Sequence, residues 1–465
     1  MTADHAHELE AFLKSKRWFG DKTRAIRGVR LRERVPVRWP NADRDYAVAR
    51  ADVETDGGRS TYQLLLGNDA RALTDALDDE QFRRGLIDAF AHGAEFEHDG
   101  VRWIVRSEAK RALIAPPGTK VVLSKAEQSN SSLIVEGLAI LKLFRKVEPG
   151  VHPDVEVTRF LTVEREFVHV PVLLGTIQFQ DASGTTVAGM LQELVPGAKD
   201  GWSYALQCTK AYFGGANGTL PFQEEARELG SITRALHDAL ASGAPGSAFE
   251  KRIAESKDLE SWIAATRRMA DKATGSLTQA LDNQAIPEEH LDTAHQVMTR
   301  ANALGDTLAG WGRTLTNDAG ARTRTHGDYH LGQVIRSAAD RFLVIDFEGE
   351  PARPLSERRA LQSPLRDVAG MLRSFAYLGA VAASEGRASD DRRTAWERAT
   401  REAFLDAYFA PADTSLGLLP RDHDNARRLI ALFETEKAFY ELQYELDHRP
   451  DWAWIPLRGI QAVTE

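Results

Sequence analysis

Strand-like patterns are confined to the first ~195 residues of the chain, apart from one short stretch near residue 340. Alternating apolar and polar residues predict strands near 29–37, 46–53, 62–66 and 101–105, and a second set between 121 and 194. From Trp202 onward apolar residues recur at helical spacing, except at 333–347, where two apolar runs predict a hairpin. A strand-rich block followed by a helical block predicts an α+β protein with two lobes.

Three segments follow from these patterns. The sequence Ala-Pro-Pro-Gly at 115–118 is typical of a linker or sharp turn. We therefore expect an N-terminal domain at residues 1–112, a small lobe of one sheet and one helix at 113–196, and a large helical lobe at 197–465.

Composition excludes several classes of protein. The chain has 465 residues with 59 Lys and Arg against 68 Asp and Glu, and this net charge of −9 disfavours nonspecific nucleic-acid binding. One cysteine, Cys208, allows neither a disulfide framework nor a cysteine zinc site. No apolar run approaches the ~18 residues of a membrane span, and the first residues are too acidic for a signal peptide. We expect a soluble cytoplasmic enzyme that binds neither nucleic acid nor membrane.

The sequence HGDYHLGQ at 326–333, followed by IDFE at 345–348, has the layout of a phosphoryl-transfer site. Protein kinases place a proton-accepting aspartate five residues before an amide side chain, and a second aspartate after the next strand. Asp328, Gln333 and Asp346 have these positions. Each piece alone is common in turns, but the combined spacing predicts that Asp328 is the base and that Gln333 and Asp346 bind Mg²⁺.

A lysine inside an apolar strand is the next expected part. Lys142 lies in the run AILKLF at 139–144, where burial of a cation requires a partner. Glu156, at the start of the next predicted helix, fits as that partner, as the helix glutamate does in kinases. The alternative is a solvent-facing lysine on an edge strand.

Two further segments are candidates for ATP binding. The turn EQSNSS at 127–132 precedes the lysine strand and offers small polar residues to phosphates, namely Ser129, Asn130, Ser131 and Ser132. The segment at 190–197 ends the last small-lobe strand, and Glu193 and Val195 are candidates to pair with an adenine edge. The chain contains no Walker A, G-x-G-x-x-G or G-x-S-x-G motif, which argues against P-loop, Rossmann and serine-hydrolase enzymes.

The segments 326–333, 345–351 and 127–131, together with 363–375, 436–441 and 448–450, resemble bacterial maltokinases. That family is an aminoglycoside-phosphotransferase-like branch of the protein-kinase fold with an additional N-terminal cap domain. The resemblance implies ATP and Mg²⁺ as cofactors and transfer of the γ-phosphate to the anomeric hydroxyl of maltose. The maltose 1-phosphate would feed α-glucan synthesis, often downstream of trehalose synthase, a possible functional partner. The resemblance implies the same roles for Asp328, Gln333, Asp346 and Lys142, although most kinase relatives have Asn where this chain has Gln333.

Neighbouring residues complete the predicted site. Asp367 is expected to brace the backbone of the catalytic loop, as acidic residues after the metal loop do in kinase-like folds, and His326 belongs to the same supporting shell. His330 and Glu348, inside the two motifs, are candidates to bind the acceptor.

The C-terminal run 436–454 predicts a sugar-binding helix face. Positions 437, 440, 441, 444, 445 and 448 share one face of a helix, and aromatic rings mixed with charges suit a disaccharide. The candidates are Lys437, Tyr440, Glu441, Tyr444 and Trp452. An amphipathic surface helix with internal ion pairs is the alternative. For the whole chain, a kinase for glucosamine or an aminoglycoside, or an inactive nucleotide-sensing module, remain open alternatives.

Overall fold

The computed structural model of the chain describes residues 3–22, 24–40, 42–68, 73–108, 113–124, 129–216, 218–350, 353–410 and 417–464. The chain divides into two compact units, Met1–Gly197 and Ala198–Glu465. The division falls one residue after the predicted start of the helical lobe, whereas the predicted boundary at 112/113 lies inside the first unit.

The first unit contains most of the strands. Its elements are α1 (Ala3–Ser15), β1 (Ile26–Val37), β2 (Tyr46–Thr55), β3 (Gly58–Asn68), β4 (Leu73–Asp75), α2 (Glu80–His92), β5 (Ala94–His98), β6 (Val101–Ser107), β7 (Val121–Leu123), β8 (Ser131–Val135), β9 (Ala139–Leu143), β10 (Lys146–Val147), α3 (Pro153–Arg159), β11 (Leu173–Asp181) and β12 (Gly184–Glu193).

These strands form two antiparallel sheets that draw on both sides of the 115–118 segment. One sheet has the order β1-β2-β3-β10 with β4 on β3, and the other has the order β5-β6-β11-β12-β9-β8-β7. In the second sheet Val105 of β6 lies opposite Ile177 of β11. The predicted linker therefore does not separate two sheets, because strands far apart in sequence pair across it.

Helix α2 shows how the local sequence produces this packing. Asp79 caps the helix by accepting a hydrogen bond from the Gln81 amide at 2.9 Å. The apolar residues on one face of the helix are all buried in the core that contains Trp103, and they are Phe82, Leu86, Ile87 and Phe90.

The second unit is mainly helical. Its elements are β13 (Lys199–Asp200), α4 (Gly201–Phe213), α5 (Gln223–Leu240), β14 (Arg252–Ile253), α6 (Ser256–Asp282), α7 (Leu291–Leu315), β15 (Ala321–Arg322), β16 (Val334–Arg336), β17 (Phe342–Val344), α8 (Leu355–Arg358), α9 (Leu365–Gly386), α10 (Asp390–Phe409), α11 (His423–His448) and α12 (Trp454–Thr464).

The hairpin predicted at 333–347 is present as β16 and β17, with Val334 opposite Val344. The hairpin directly follows the HGDYHLGQ segment. Helix α9 begins 21 residues after β17 and is buried along most of its length. The sheets of the first unit and the helices of the second confirm the predicted α+β class. Among the described residues, no helix is long and apolar enough to cross a membrane.

Candidate active site

A buried carboxylate holds the loop that carries Asp328. Asp367, near the start of α9, accepts hydrogen bonds from the backbone amides of His326 at 2.7 Å and Gly327 at 3.0 Å. It also lies 3.2 Å from Nε2 of His237, and its side chain is only 2% exposed. Burial favours the protonated acid, but these hydrogen bonds outweigh it and hold the pKa of Asp367 below its usual value. These contacts are the backbone brace expected of Asp367.

His326 connects this loop to the strand that precedes Asp346. Its Nε2 donates to the carbonyl of Ile345 at 2.9 Å, and its Nδ1 accepts from the amide of Asp328 at 3.4 Å. The two contacts assign the proton of the neutral ring to Nε2. The ring is buried and packs against Phe347 with centroids 4.9 Å apart. His326 therefore fixes the spacing between the two aspartate-bearing segments.

Two glycines allow the close backbone approach that this geometry needs. Gly327 has a positive φ of 85°, and a Cβ there would lie 3.3 Å from the Cα of Gly349. Gly370 on α9 packs against the loop so closely that a Cβ would lie 2.5 Å from the carbonyl oxygen of Tyr329. Both positions exclude a larger side chain without movement of the loop.

Gln333 and Asp346 are adjacent at the base of the hairpin. The amide of Ile345 donates to the carbonyl of Gln333 at 3.0 Å, and Asp346 follows with a positive φ of 68°. One amide oxygen and one carboxylate are hard oxygen donors that suit Mg²⁺, which keeps several water or phosphate ligands. The described residues contain no cluster of three or more His, Cys, Asp or Glu that could hold a metal ion by themselves. The donor set fits a magnesium ion shared with phosphates.

A cavity of about 110 Å³ lies within the second unit beside Asp328. Lys437 of α11 lies 3.5 Å from Oδ1 of Asp328, so the carboxylate has a cationic neighbour. The lining residues come from the catalytic loop, the segment after Asp346, α6, α9 and α11; they are Met269, Thr325, Gly327, Asp328, Tyr329, Gly349, Glu350, Arg353, Glu357, Arg358, Ala360, Gln362, Arg366, Asp367, Gly370, Phe433, Glu436, Lys437 and Tyr440.

The polar side of the cavity includes two residues that the sequence reasoning missed. Glu350 accepts a hydrogen bond from Nε of Arg353 at 2.7 Å and is hydrogen-bonded to Tyr440. Burial raises the pKa of Tyr440, and the charge of Glu350 raises it further. Glu350 lies two residues after the IDFE motif, so its closeness to that motif was a usable signal, whereas no motif lies close to Arg353.

Helix α11 divides the predicted sugar-binding face between two environments. Lys437 and Tyr440 line the cavity, as described above. Glu441 instead accepts two hydrogen bonds from Arg373, at 2.7 and 2.9 Å, and is not in the cavity lining. Tyr444 is 43% exposed and stacks on His448 with centroids 4.5 Å apart.

The predicted helix at 436–454 ends at His448. Trp452 lies beyond it in a single short turn at 450–452, where the guanidinium of Arg449 packs 4.9 Å from its ring. Trp452 and Tyr444 are therefore placed outside the cavity lining, with Glu441.

The remaining candidates of the second unit lie near Asp328 or Asp346 but outside the lining. Nδ1 of His330 accepts from the amide of Gly332 at 3.0 Å, and its Nε2 is 3.9 Å from Asp328. Burial lowers the pKa of His330, although Asp328 opposes this effect. Glu348 is half-buried, and its carbonyl accepts from Arg358 at 3.3 Å.

In the first unit, Lys142 points to a different carboxylate from the one predicted. Its Nζ lies 3.4 Å from Oδ2 of Asp154, a buried residue of α3 two positions before Glu156. Ser132 lies opposite Lys142 in the β8–β9 pairing and is also buried. The strand placement of Lys142 agrees with the prediction, and Asp154 is an acidic residue in contact with it.

The 127–132 turn and the end of β12 complete the first unit's candidates. Glu127 and Gln128 lie outside the described residues, Ser129 is exposed and Asn130 is half-buried. Ser131 is buried, with its hydroxyl accepting from Nε of Arg145 at 2.8 Å, so this side chain supports the fold.

At the other end of this sheet, Glu193 closes β12, and its amide donates to the carbonyl of Val172 at 2.9 Å. Val195 follows as a half-buried residue two positions later.

The chain is similar to several known sugar-kinase proteins. Residues 12–102 match the family model of the maltokinase N-terminal cap domain. The chain is 29% identical over 339 residues to a glucosamine kinase of Streptacidiphilus jiangxiensis, covering 71% of this chain and 70% of the relative. It is 26% identical over 341 residues to a glucosamine kinase of Mycolicibacterium smegmatis, covering 73% and 78%. A solved glucosamine kinase in complex with glucosamine, ADP and inorganic phosphate superposes with a TM-score of 0.70 at 22% identity, over 94% of both chains.

The chain therefore has a kinase-like fold preceded by a cap domain. More particularly, its N-terminal residues resemble the maltokinase cap and the chain is similar to glucosamine kinases, which agrees with the resemblance drawn from the motifs.

Proposed function

We propose that the protein is a sugar kinase that transfers the γ-phosphoryl group of ATP to a sugar hydroxyl. The observation that carries this proposal is the placement of Asp328, held by a braced loop beside a polar cavity, with Lys437 3.5 Å away. Asp328 accepts the proton of the attacking hydroxyl. Lys437 keeps the carboxylate oriented toward the cavity and offsets charge that develops on the transferred group.

Gln333 and Asp346 would hold Mg²⁺, which neutralises phosphate charge when it is bound. Because the Ile345 amide bonds the Gln333 carbonyl, the two ligands stay adjacent without the metal. His326 then keeps this pair at a fixed distance from Asp328.

The first unit supplies the nucleotide-binding residues in this proposal. Lys142 contacts the phosphates while Asp154 orients it, a role we first expected of Glu156. The backbone of residues 129–132 binds phosphate oxygens, and the backbone of Glu193 and Val195 contacts the adenine. The similar glucosamine kinase that was solved with ADP supports a nucleotide cofactor.

The acceptor we propose is maltose, phosphorylated at its anomeric hydroxyl in the cytoplasm. The match of residues 12–102 to the maltokinase cap supports this choice. So does the charge balance of the cavity, where Glu350 pairs with Arg353, Glu436 with Arg366 at 3.0 Å, and Asp328 with Lys437. Paired carboxylates suit a neutral sugar, because a cationic acceptor must first compete with an arginine or lysine. Maltose would come from a reaction such as that of trehalose synthase.

Glucosamine is the second candidate, favoured by the two glucosamine kinases that align with about 70% of the chain. A glucosamine site needs a carboxylate for the amine. Glu350 can provide it after displacing Arg353, and Glu357 is a second carboxylate in the cavity lining.

The decisive experiment measures ADP release with maltose, glucose, glucosamine, kanamycin and trehalose as acceptors. We expect maltose to be used best and trehalose, which has no free anomeric hydroxyl, not to be used. Coupling of the anomeric proton to phosphorus in the NMR spectrum of the product identifies the 1-phosphate. Preference for glucosamine selects the second candidate, and ATP binding without turnover on any sugar refutes the kinase proposal.

A further inference from the structure

A second, larger cavity lies in the second unit, with a volume of about 720 Å³. Helices α9, α10, α11 and α12 contribute most of its walls, and it shares no lining residue with the cavity beside Asp328. None of its residues has a part in the proposed phosphoryl transfer.

Arginine dominates the polar lining of this cavity. Three carboxylates are also present, and each is already paired. Asp390 and Glu397 accept from Arg393 at 2.9 and 2.8 Å, and Arg458 also pairs with Asp390. The third carboxylate, Glu434, accepts from both terminal nitrogens of Arg401, at 2.6 and 2.9 Å. Two arginines of the lining, Arg373 and Arg398, form no ion pair with these three carboxylates.

Arg373 presents an unsatisfied edge of its guanidinium. The side chain is 3% exposed, and Nε and Nη2 both donate to Oε2 of Glu441. Nη1 makes no hydrogen bond to any described residue. It lies beside Gly459, another lining residue, where a Cβ would be only 2.1 Å away. A glycine at 459 thus leaves room for this charged donor at the cavity wall, where it can reach an acceptor that enters the cavity.

Arg398 provides a second cation without a partner. It is exposed on α10, lines the same cavity, and forms no hydrogen bond or ion pair with the part of the chain that the structure describes. Planar guanidinium groups bind phosphate oxygens through two parallel N–H groups, which makes paired arginines suited to phosphate esters. Trp454 lines the cavity as well and offers an apolar surface beside them.

We propose that this cavity binds a small phosphorylated metabolite through Arg373 and Arg398, at a site separate from the proposed sugar and nucleotide sites. The phosphate group accepts from Nη1 of Arg373 and from the guanidinium of Arg398. Helices α9 and α11, which form two of the walls, also carry Asp367 and Lys437. The ligand therefore contacts the two helices that hold the catalytic loop and the candidate acceptor cavity.

Isothermal titration calorimetry on the full chain tests this site directly. The nucleotide site is first saturated with a non-hydrolysable ATP analogue, and inorganic phosphate or glucose 6-phosphate is then titrated. We expect saturable binding with one ligand per chain, and a rise in Kd of about tenfold or more in Arg398→Glu, because the charge at a phosphate contact is reversed. A lower Kd for glucose 6-phosphate than for inorganic phosphate indicates a sugar phosphate, and the reverse order indicates free phosphate.

The matched control is Arg427→Glu, an exposed arginine on α11 outside both cavities and without a described partner. Its Kd should remain within about twofold of the wild-type value. Absence of saturable binding, or equal Kd values in the Arg398 and Arg427 variants, overturns the proposal. The readout does not depend on turnover, so it is independent of the kinase proposal.

Discussion

Replacement of Asp367 by asparagine tests whether the hydrogen bonds of this carboxylate position the loop that carries Asp328 or only stabilise the fold. The carboxylate accepts from the amides of His326 and Gly327 through different oxygens, at 2.7 and 3.0 Å, and contacts His237 at 3.2 Å. An asparagine can accept from only one side, and its NH₂ group then faces another N–H group. The loop segment that carries Asp328 loses one anchor.

The expected magnitude follows from the hydrogen bonds lost. A hydrogen bond to a charged group contributes about 1.5–3 kcal/mol, so the loss of one, with a facing donor left unpaired, lowers the free energy of unfolding by about 3 kcal/mol. For a unit of this size that corresponds to a fall in Tm of roughly 6–12 °C. Displacement of Asp328 by about 1 Å should lower kcat about 10²-fold.

The pH dependence of stability provides a second measurement. Because the folded pKa of Asp367 is lowered, its stabilisation is fully present above the unfolded pKa of about 3.9 and is lost as pH falls through the folded pKa. The difference in unfolding free energy between wild type and Asp367→Asn should be constant from about pH 5 to 8 and should shrink below about pH 4.

Asp318→Asn is the matched control for the assay. Asp318 also accepts from two backbone amides, Arg421 at 2.9 Å and Asp422 at 3.0 Å, but it lies outside the cavity lining. Denaturant unfolding and steady-state kinetics should show lower stability in both variants and lower kcat in Asp367→Asn only. If both variants keep wild-type kcat, or both lose it equally, the brace does not position Asp328.

Three further substitutions test individual roles. Asp328→Asn should lower kcat by about 10²–10⁴ while calorimetry shows unchanged ATP affinity, and near-normal turnover would remove Asp328 as the base. Lys142→Ala should raise the KM for ATP and lower kcat, whereas replacement of the exposed Lys146, three residues beyond β9, by alanine should do neither. Equal kinetics in the two variants contradict the phosphate role. Tyr440→Phe removes the hydroxyl bonded to Glu350 and should raise the sugar KM about tenfold with the ATP KM unchanged, while Tyr444→Phe should leave both near wild type.

The loop and the hairpin at 326–346 could be predicted from the sequence because the residues that contact one another there are close together in the chain. Residues 326–333 and the hairpin that leads to Asp346 are contiguous in sequence, and backbone contacts such as Ile345 to Gln333 hold their ends together. The contacts of Asp367 could likewise be anticipated from its place on the helix after the metal loop.

The contacts between distant segments could not be read from patterns of this kind. The Lys142 strand is followed by a helix with two acidic residues, Asp154 and Glu156, which differ by about 200° around the axis. Periodicity cannot say which of these faces the strand, and the structure places Asp154 there. In the same way, local alternation predicts β6 but not its pairing with β11 across some 70 residues, a pairing that crosses the predicted linker at 115–118.

Recognition of the acceptor depends on contacts between residues that are far apart in sequence. The proposed base and the proposed metal ligands lie within 21 consecutive residues, 326–346, whereas the cavity joins Glu350 to Tyr440, which is 90 positions later on α11. Helical periodicity identified which residues of α11 share a face. It could not show that this face is divided between two environments, in which Glu441 accepts from Arg373 and Tyr440 lines the cavity. The motifs therefore specify phosphoryl transfer more strongly than they specify a sugar. The choice between a neutral and a cationic sugar depends in part on whether Arg353 stays paired with Glu350 when the acceptor binds, because an unpaired Glu350 offers an amine a stronger negative charge than a paired one.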